Sequence, residues 1–508
     1  MSNNSSIVQK LTKSSSIVLL FTIATSPLGY FIRMFYSRNL SIEMYGLFYA
    51  VLTLFITLAT YNDLGFGYSA AYLIPKFILK KDYKKVWHAF KYNQIIEMGT
   101  ALLISIILIL TAPWLAINFF KSQAATNLIY IFIIYFLAHS FLSSLEKVFN
   151  GLQQAQFYGS IQFMRYGLAL GFSVLFWFFD YDQVTHYAIA WAVALLVTTA
   201  FYSLLFKWKN SFLINKLSWN EKLFKKMLAF AIPTILTTSL STIIKFSDVF
   251  YLTWFKGLES VGKYNVIIPL VSLSAILLSP LTGPIFPLAS KLAEVDKKKL
   301  SLLISFIYKF VPFVAFYFSL FVFLFPKILV HTLFGAKWVG LIETELQIAA
   351  IGQIFTIFTV YLATLSGALG LIRQRLKASL VIGGINLVLA AFMSYYFGVR
   401  GVIISHTLIY FLLIIILSKF IKQSIDYHLP IKLYIKLILI GIIFYFLNNL
   451  LGFSPRGFLQ LLVYGVCYTI IILMISLRLK LFDLSLLVLL NPKLRENKIF
   501  NKLRNLMF

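Results

Sequence analysis

The chain has 508 residues, of which 60% are hydrophobic and 12% charged, with 45 Lys and Arg against 17 Asp and Glu. A soluble chain carries about twice that share of charge, which excludes a water-soluble enzyme or secreted domain, and the apolar content excludes disorder. A polytopic all-α membrane protein remains, and its net charge of +28 must be placed relative to the bilayer before it says anything about nucleic acid.

A spanning helix needs about 20 mostly apolar residues. Fourteen such runs follow one another, at 15–36, 44–63, 91–118, 127–146, 158–179, 184–206, 228–252, 264–284, 301–325, 345–368, 378–397, 401–418, 437–453 and 457–477. The first follows a short polar N-terminus with no small-residue cleavage site closing it, so it reads as a retained helix. An even count places both termini on one side. With that side labelled inside, 32 of the 45 basic residues fall in inside segments, eight in outside loops and five within spans. Both termini are therefore expected in the cytoplasm, and the basic excess reads as an orientation signal with no nucleic-acid partner. It also attracts the inner loops to anionic lipid. The tail 479–508 is basic, with Ile499, Phe500, Leu503 and Met507 at helical spacing. It reads equally as an interfacial helix or as a topology signal.

The single cysteine, Cys467, excludes an internal disulfide, and six scattered histidines offer no metal-ligand spacing. Neither a cofactor nor a metal is expected.

The chain resembles itself at an offset of 216 residues. "EMYGLFYAVLTL" at Glu43 matches "ESVGKYNVIIPL" at Glu259, and Gly46, Gly67, Gly151 and Gly167 meet Gly262, Gly283, Gly367 and Gly383. About 0.7 glycine coincidences are expected by chance at one offset. Six helices per repeat is an even number, so the halves share topology about an axis along the membrane normal. The expected domains are a six-helix lobe at 1–210, a second at 211–425, two further helices at 426–478 and the tail 479–508.

Ionisable groups inside spans are costly and mark functional candidates. They are Arg33, Lys91, Glu97, Arg165, Lys245, Asp248 and Lys309. Thr234, Thr238, Ser241, Lys245 and Asp248 step by three and four and share one stripe. Arg33, Arg165, Lys245 and Lys309 would line a cationic cleft suited to an anion, arginine matching phosphate by its planar donor fork. Asp248 and Glu97 are the candidates for ion coupling. Duller readings stand beside these. Arg33, Asp248, Arg165 and Lys309 can snorkel to an interface, Lys245 and Asp248 can neutralise each other, and Glu97 can serve as the partner of a buried cation. His139 and His406 read as packing groups.

At "EMYGLFYAVLTL", "NDLGFGYSAAYLIPKF", "FAIPTILTTSL", "VGKYNVIIPL", "NGLQQAQFYGSIQFMRYG" and "SGALGLIRQRLKASLVIGG", the chain resembles the Wzx-type polysaccharide flippases of the multidrug/oligosaccharidyl-lipid/polysaccharide exporter superfamily. The resemblance covers about residues 10–480 and rests on a glycine and proline skeleton without a catalytic signature. It implies two six-helix lobes in a V and alternating access. It further implies transfer of a polyprenyl-(pyro)phosphate-linked oligosaccharide to the outer leaflet for surface glycan of the O-antigen type. Glycan assembly proteins and membrane lipid would be the partners of a monomer, with coupling to protons, sodium or membrane potential. A peptidoglycan lipid precursor flippase and a cation-coupled multidrug exporter are the nearest rivals. An exporter of cationic drugs would want an acidic core. A membrane glycosyltransferase or polymerase would want a large outer loop and clustered carboxylates, whereas Asp180 and Asp182 form only a close pair on a short outer turn, so no enzyme is expected.

Overall fold

Long apolar runs with few breakers leave a backbone that satisfies its hydrogen bonds most simply within helices when water is absent. The computed structural model describes residues 2–181, 183–216, 218–278, 281–451 and 457–478, and no strand occurs among them. Sixteen α-helices follow in order: α1 (Ser2–Asn39), α2 (Ile42–Tyr61), α3 (Phe66–Leu79), α4 (Tyr83–Trp114), α5 (Ala124–Gly151), α6 (Ala155–Phe178), α7 (Val184–Lys209), α8 (Glu221–Lys256), α9 (Leu258–Leu278), α10 (Thr282–Val295), α11 (Lys297–Leu324), α12 (Pro326–Phe334), α13 (Glu343–Ala368), α14 (Ile372–Ser424), α15 (Ile431–Leu451) and α16 (Phe458–Arg478). Over its described residues every expected span lies mainly on a helix, although 264–284 runs from α9 into α10, and the short helices α3 and α12 were not expected. Among the described residues ten helices are long and apolar enough to cross a membrane, and α14 counts once while holding two expected spans. Gly398 interrupts α14 with φ +60°, a backbone that glycine adopts without a Cβ clash. The expected tail helix at 479–508 and Asp182 lie outside the described residues.

The 216-residue repeat is visible in the element boundaries. The short helices α3 and α10, Phe66–Leu79 and Thr282–Val295, start and end 216 residues apart. The starts of α2 and α9, Ile42 and Leu258, are separated by the same distance. The repeat also reuses its packing. Gly151 on α5 faces Ile74 of α3, and its counterpart Gly367 on α13 faces Phe286 of α10. Each half opens its next long helix with an aspartate cap: Asp82 accepts from the Lys85 amide at 3.1 Å, and Asp296 from the Lys299 amide at 3.0 Å.

Packing divides the chain into compact units at 1–265 and 266–508. The repeat was expected to divide it after 210. In the first unit α8 lies on α2, α3 and α4. Backbones approach closely there. A side chain on Gly46 would meet the Leu258 carbonyl, and one on Gly65, at φ +80°, the Ala231 carbonyl. The aromatic core of this unit centres on Tyr36, whose hydroxyl shares a 2.6 Å hydrogen bond with Ser173 and accepts one from Trp191 Nε1 at 3.0 Å. The second unit has one core around Ile304, Ile307, Val311, Leu362 and Leu365, and another around Leu324, Leu437 and Tyr468.

Candidate functional site

A cavity of about 400 Å³ lies within the first unit. Helix α1 brings Gly29, Ile32 and Arg33 to it, α2 Tyr49, Leu52, Phe55, Ile56, Ala59 and Thr60, α5 Tyr135 and His139, α6 Gln162, Arg165 and Tyr166, and α7 Trp191. Two guanidiniums line it and no carboxylate does. Arg33 and Arg165, predicted from span position alone, are thus brought together.

Each arginine is held in place. Arg33 sits 4.5 Å over the Tyr49 ring and donates to the Asn265 backbone carbonyl at 3.2 Å and to its side-chain oxygen at 3.4 Å. That carbonyl is available because residue 269, which would donate to it in a regular helix, is proline. Tyr45 takes the same carbonyl at 3.4 Å. Arg165 donates to Gln162 one turn earlier and to the Tyr135 hydroxyl at 3.5 Å, and stands 5.1 Å from the Tyr166 ring. Neither arginine forms an ion pair among the described residues. Their direct contacts are π faces and neutral oxygens, with Glu146 on α5 acting on Arg165 without forming an ion pair, and an anionic ligand can supplement these. His139 packs on Tyr135, with ring centroids 6.0 Å apart.

The other four predicted residues lie elsewhere. Lys245 on α8 is exposed, near the Phe246 ring, while Asp248 is fully buried and accepts a 2.6 Å bond from the Tyr264 hydroxyl. The expected common stripe therefore places its two charges in unlike surroundings, and the side chains of Thr238 and Ser241 lie outside the described set. Lys309 is half-buried on α11 in the second unit and forms no ion pair among the described residues. Glu97, 1% exposed, belongs to a separate network. Its carboxylate lies 3.3 Å from Lys147 Nζ, which bonds Asp63 Oδ2 at 2.7 Å. Asn93 donates to Glu97 at 3.1 Å, and Asp63 Oδ1 accepts the Gly65 amide at 2.8 Å. Lys147, which the charge count places in an inner loop, is in fact the cation of this network. A side chain at Gly67, in the first turn of α3, would meet the Lys147 ammonium and the Asp63 carboxylate and push this ion pair aside.

Sequence reasoning missed Asp63, Lys147 and the aromatic lining. Asp63 is the last residue of the second expected span and Lys147 stands one past the fourth, and neither entered the list of intramembrane charges. Gln162 and Arg165, three apart on one helix, were readable as a pair.

The polysaccharide biosynthesis protein family model matches residues 11–293. The chain belongs to that family. An uncharacterized membrane protein of Methanocaldococcus jannaschii is 23% identical over 91% of this chain and 94% of its own length. Among solved structures, the lipid II flippase MurJ in an inward closed conformation superposes with a TM-score of 0.66 at 17% identity, over 90% of this chain and 99% of that one. A multidrug resistance MATE family transporter of the MOP superfamily, inward-facing, gives 0.63 at 16% identity over 80% and 95%. Family and fold bear out a multi-pass all-α membrane protein of the polysaccharide biosynthesis family.

Proposed function

We propose that this family member flips a polyprenyl-(pyro)phosphate-linked oligosaccharide from the cytoplasmic to the outer leaflet, with both termini in the cytoplasm and access alternating between two six-helix lobes followed by two extra helices. The observation that carries this reading is the pair Arg33 and Arg165 in one cavity without a carboxylate. A planar donor fork suits a phosphate, and Tyr49, Tyr135, Tyr166 and Trp191 offer amphipathic faces to sugar rings. A transporter of cationic drugs is disfavoured by the same lining. Peptidoglycan lipid precursor, the cargo type named for MurJ, shares the phosphate and prenyl chemistry and is the second reading, supported by that superposition. The isolated positions of Lys245 and Lys309 give them no part in this cavity.

Export of surface glycan in cells tests the reading. Arg165→Glu should abolish export while the protein remains in the membrane at wild-type level, and Arg165→Lys should restore part of it. Normal export with Glu at both 33 and 165 would sink the proposal. Lipid-linked glycan and lipid II supplied in turn to reconstituted vesicles separate the two cargo readings.

A further inference from the structure

The segment that joins α7 to α8 takes no part in the arginine cavity or in the Glu97 network, yet it has an unusual surface. From Lys207 to Lys226 six lysines stand against one acid, Glu221, and they interleave with Trp208, Phe212, Ile214 and Trp219. Trp208 is 73% exposed and Trp219 68%, and Phe212 and Ile214 are exposed with them. Large apolar side chains facing water are unfavourable, whereas an indole at the level of lipid headgroups is in its preferred surroundings.

The positive charge is free to act outward. Glu221 is taken by Lys225 at 2.6 Å. Lys207, Lys209, Lys216, Lys222 and Lys226 form no ion pair among the described residues. Lys209 stands 4.3 Å from the Trp208 ring, so a cation and an indole are presented together.

The segment is also held in place. Asn210 is fully buried and exchanges hydrogen bonds with Gln154 at 2.9 and 3.3 Å. Leu213 is buried at the end of a single helical turn, Ser211–Leu213. The Ser218 amide donates to His88 Nε2 at 3.1 Å, and the Asn220 amide to the Tyr92 hydroxyl at 2.6 Å. That hydroxyl donates in turn to the Ser218 carbonyl at 3.2 Å. Backbone pinned to α4 in this way loses little further freedom when a ligand is met. Phe212 packs edge-on against Tyr83, with ring centroids 5.4 Å apart, which brings in the α3–α4 turn. That turn adds exposed Lys80, Lys81 and Lys84, while its Asp82 is paired with Lys85 at 2.6 Å.

We propose that the α7–α8 segment, together with the α3–α4 turn, is a binding site for anionic phospholipid at the membrane interface. The aromatic side chains seat it at headgroup depth, and the unpaired ammoniums select lipids with net negative charge. Point charges on long flexible stems suit a fluid layer of interchangeable headgroups better than one fixed phosphate. The occupant is lipid of the surrounding bilayer and not cargo. A general pull of basic loops on anionic lipid does not need this arrangement. The turn with Arg373, Arg375 and Lys377 is basic too, but no aromatic residue occurs from 369 to 380. Neither cavity arginine enters the inference, so it does not rest on the flippase reading.

The test uses full-length protein with Cys467→Ser and one bimane label, at Ser211→Cys on this segment or at Gln374→Cys on the comparison turn. The protein sits in neutral-lipid nanodiscs doped with phosphatidylglycerol or phosphatidylcholine that carries a nitroxide near the top of an acyl chain. At Ser211→Cys the anionic lipid should quench at least about fivefold more steeply, the worth of one lysine near an anionic surface. That excess should vanish in Lys207→Gln/Lys209→Gln/Lys216→Gln while quenching by phosphatidylcholine persists, and it should be much smaller at Gln374→Cys. Absence of quenching by either lipid would put the segment off the membrane and overturn the proposal. Equal quenching by the two lipids overturns headgroup selection, and an equal excess at Gln374→Cys reduces the effect to the general pull and overturns the site. The triple lysine variant should bind a soluble prenyl pyrophosphate as the wild type does. Loss of that binding in the wild type would strike the flippase reading and leave the lipid site standing.

Discussion

On α5, Tyr135 and His139 line a cavity that holds two arginines; 216 residues later on α13, Ile351 and Phe355 line one of about 680 Å³ that is almost wholly apolar. The counterparts of Arg33 and Arg165 at the same offset are Val249 and Val381. The second cavity is bounded by Pro312 and Phe316 of α11, Phe411 of α14 and Leu437, Gly441 and Tyr445 of α15. The duplicated fold thus keeps its scaffold and diverges in its lining. Glycines at close crossings and aspartates at helix starts recur because backbone geometry demands them. Residues that face a cavity answer only to the ligand, so a duplicate is free to change them.

Several changes break or sharpen this contrast. The largest effect is expected at Lys147. Lys147→Met leaves two buried carboxylates without their cation and should cost about 3–5 kcal/mol, read as loss of folded protein in thermal unfolding in detergent. A wild-type melting curve would show the network to be dispensable. Gly46→Val comes next. Its side chain must displace the Leu258 backbone carbonyl, so α2 and α9 separate and folded yield falls; full yield would contradict the close crossing. His139→Ala and Phe355→Ala form a matched pair at repeat-equivalent positions. The first should weaken binding of phosphorylated cargo several-fold. The second should leave that binding unchanged and lower stability by roughly 1–3 kcal/mol through lost packing. Equal effects on binding would erase the functional difference between the cavities.

The smallest effects belong to the feature the halves share. Asp82 and Asp296 each cap a helix, and the neighbouring Lys85 and Lys299 hold their carboxyls below the usual aspartate range. A lowered folded value means the contribution is present above the ordinary carboxylate range and fades as pH falls through it. Asp82→Ala should cost no more than about 1 kcal/mol at neutral pH, with the difference vanishing in acid. A difference that grows in acid would mean the cap is not acting as a carboxylate.

Most of the long helices and the repeat offset were legible in the sequence because run length and a fixed offset are properties of the chain itself, whereas the short helices α3, α10 and α12 were not. Arg33 and Arg165 were legible for the same reason: a cation well inside an apolar run has few acceptable surroundings. Their meeting in one cavity was not, since it depends on which faces of α1 and α6 turn together. Lys245 shows the limit from the other side. Its stripe on α8 is sound as periodicity, yet three residues separate an exposed lysine from a fully buried aspartate, because what covers each face is decided by α2, α3 and α9. Asp63 and Lys147 were hidden at span ends, where a charge normally needs no explanation. Their distances to one another across 84 residues belong to the tertiary structure alone.

The central claim, that two arginines in the first unit receive a phosphate, is tested most directly by binding of a soluble short-chain prenyl pyrophosphate to the purified protein in neutral-lipid nanodiscs. Wild-type protein should bind it and ignore the matching prenyl alcohol, and Arg33→Gln/Arg165→Gln should lose affinity by about tenfold or more, as expected for two charge-assisted contacts. Equal affinity for the alcohol and the pyrophosphate, or an unchanged affinity in the double variant, would contradict the account.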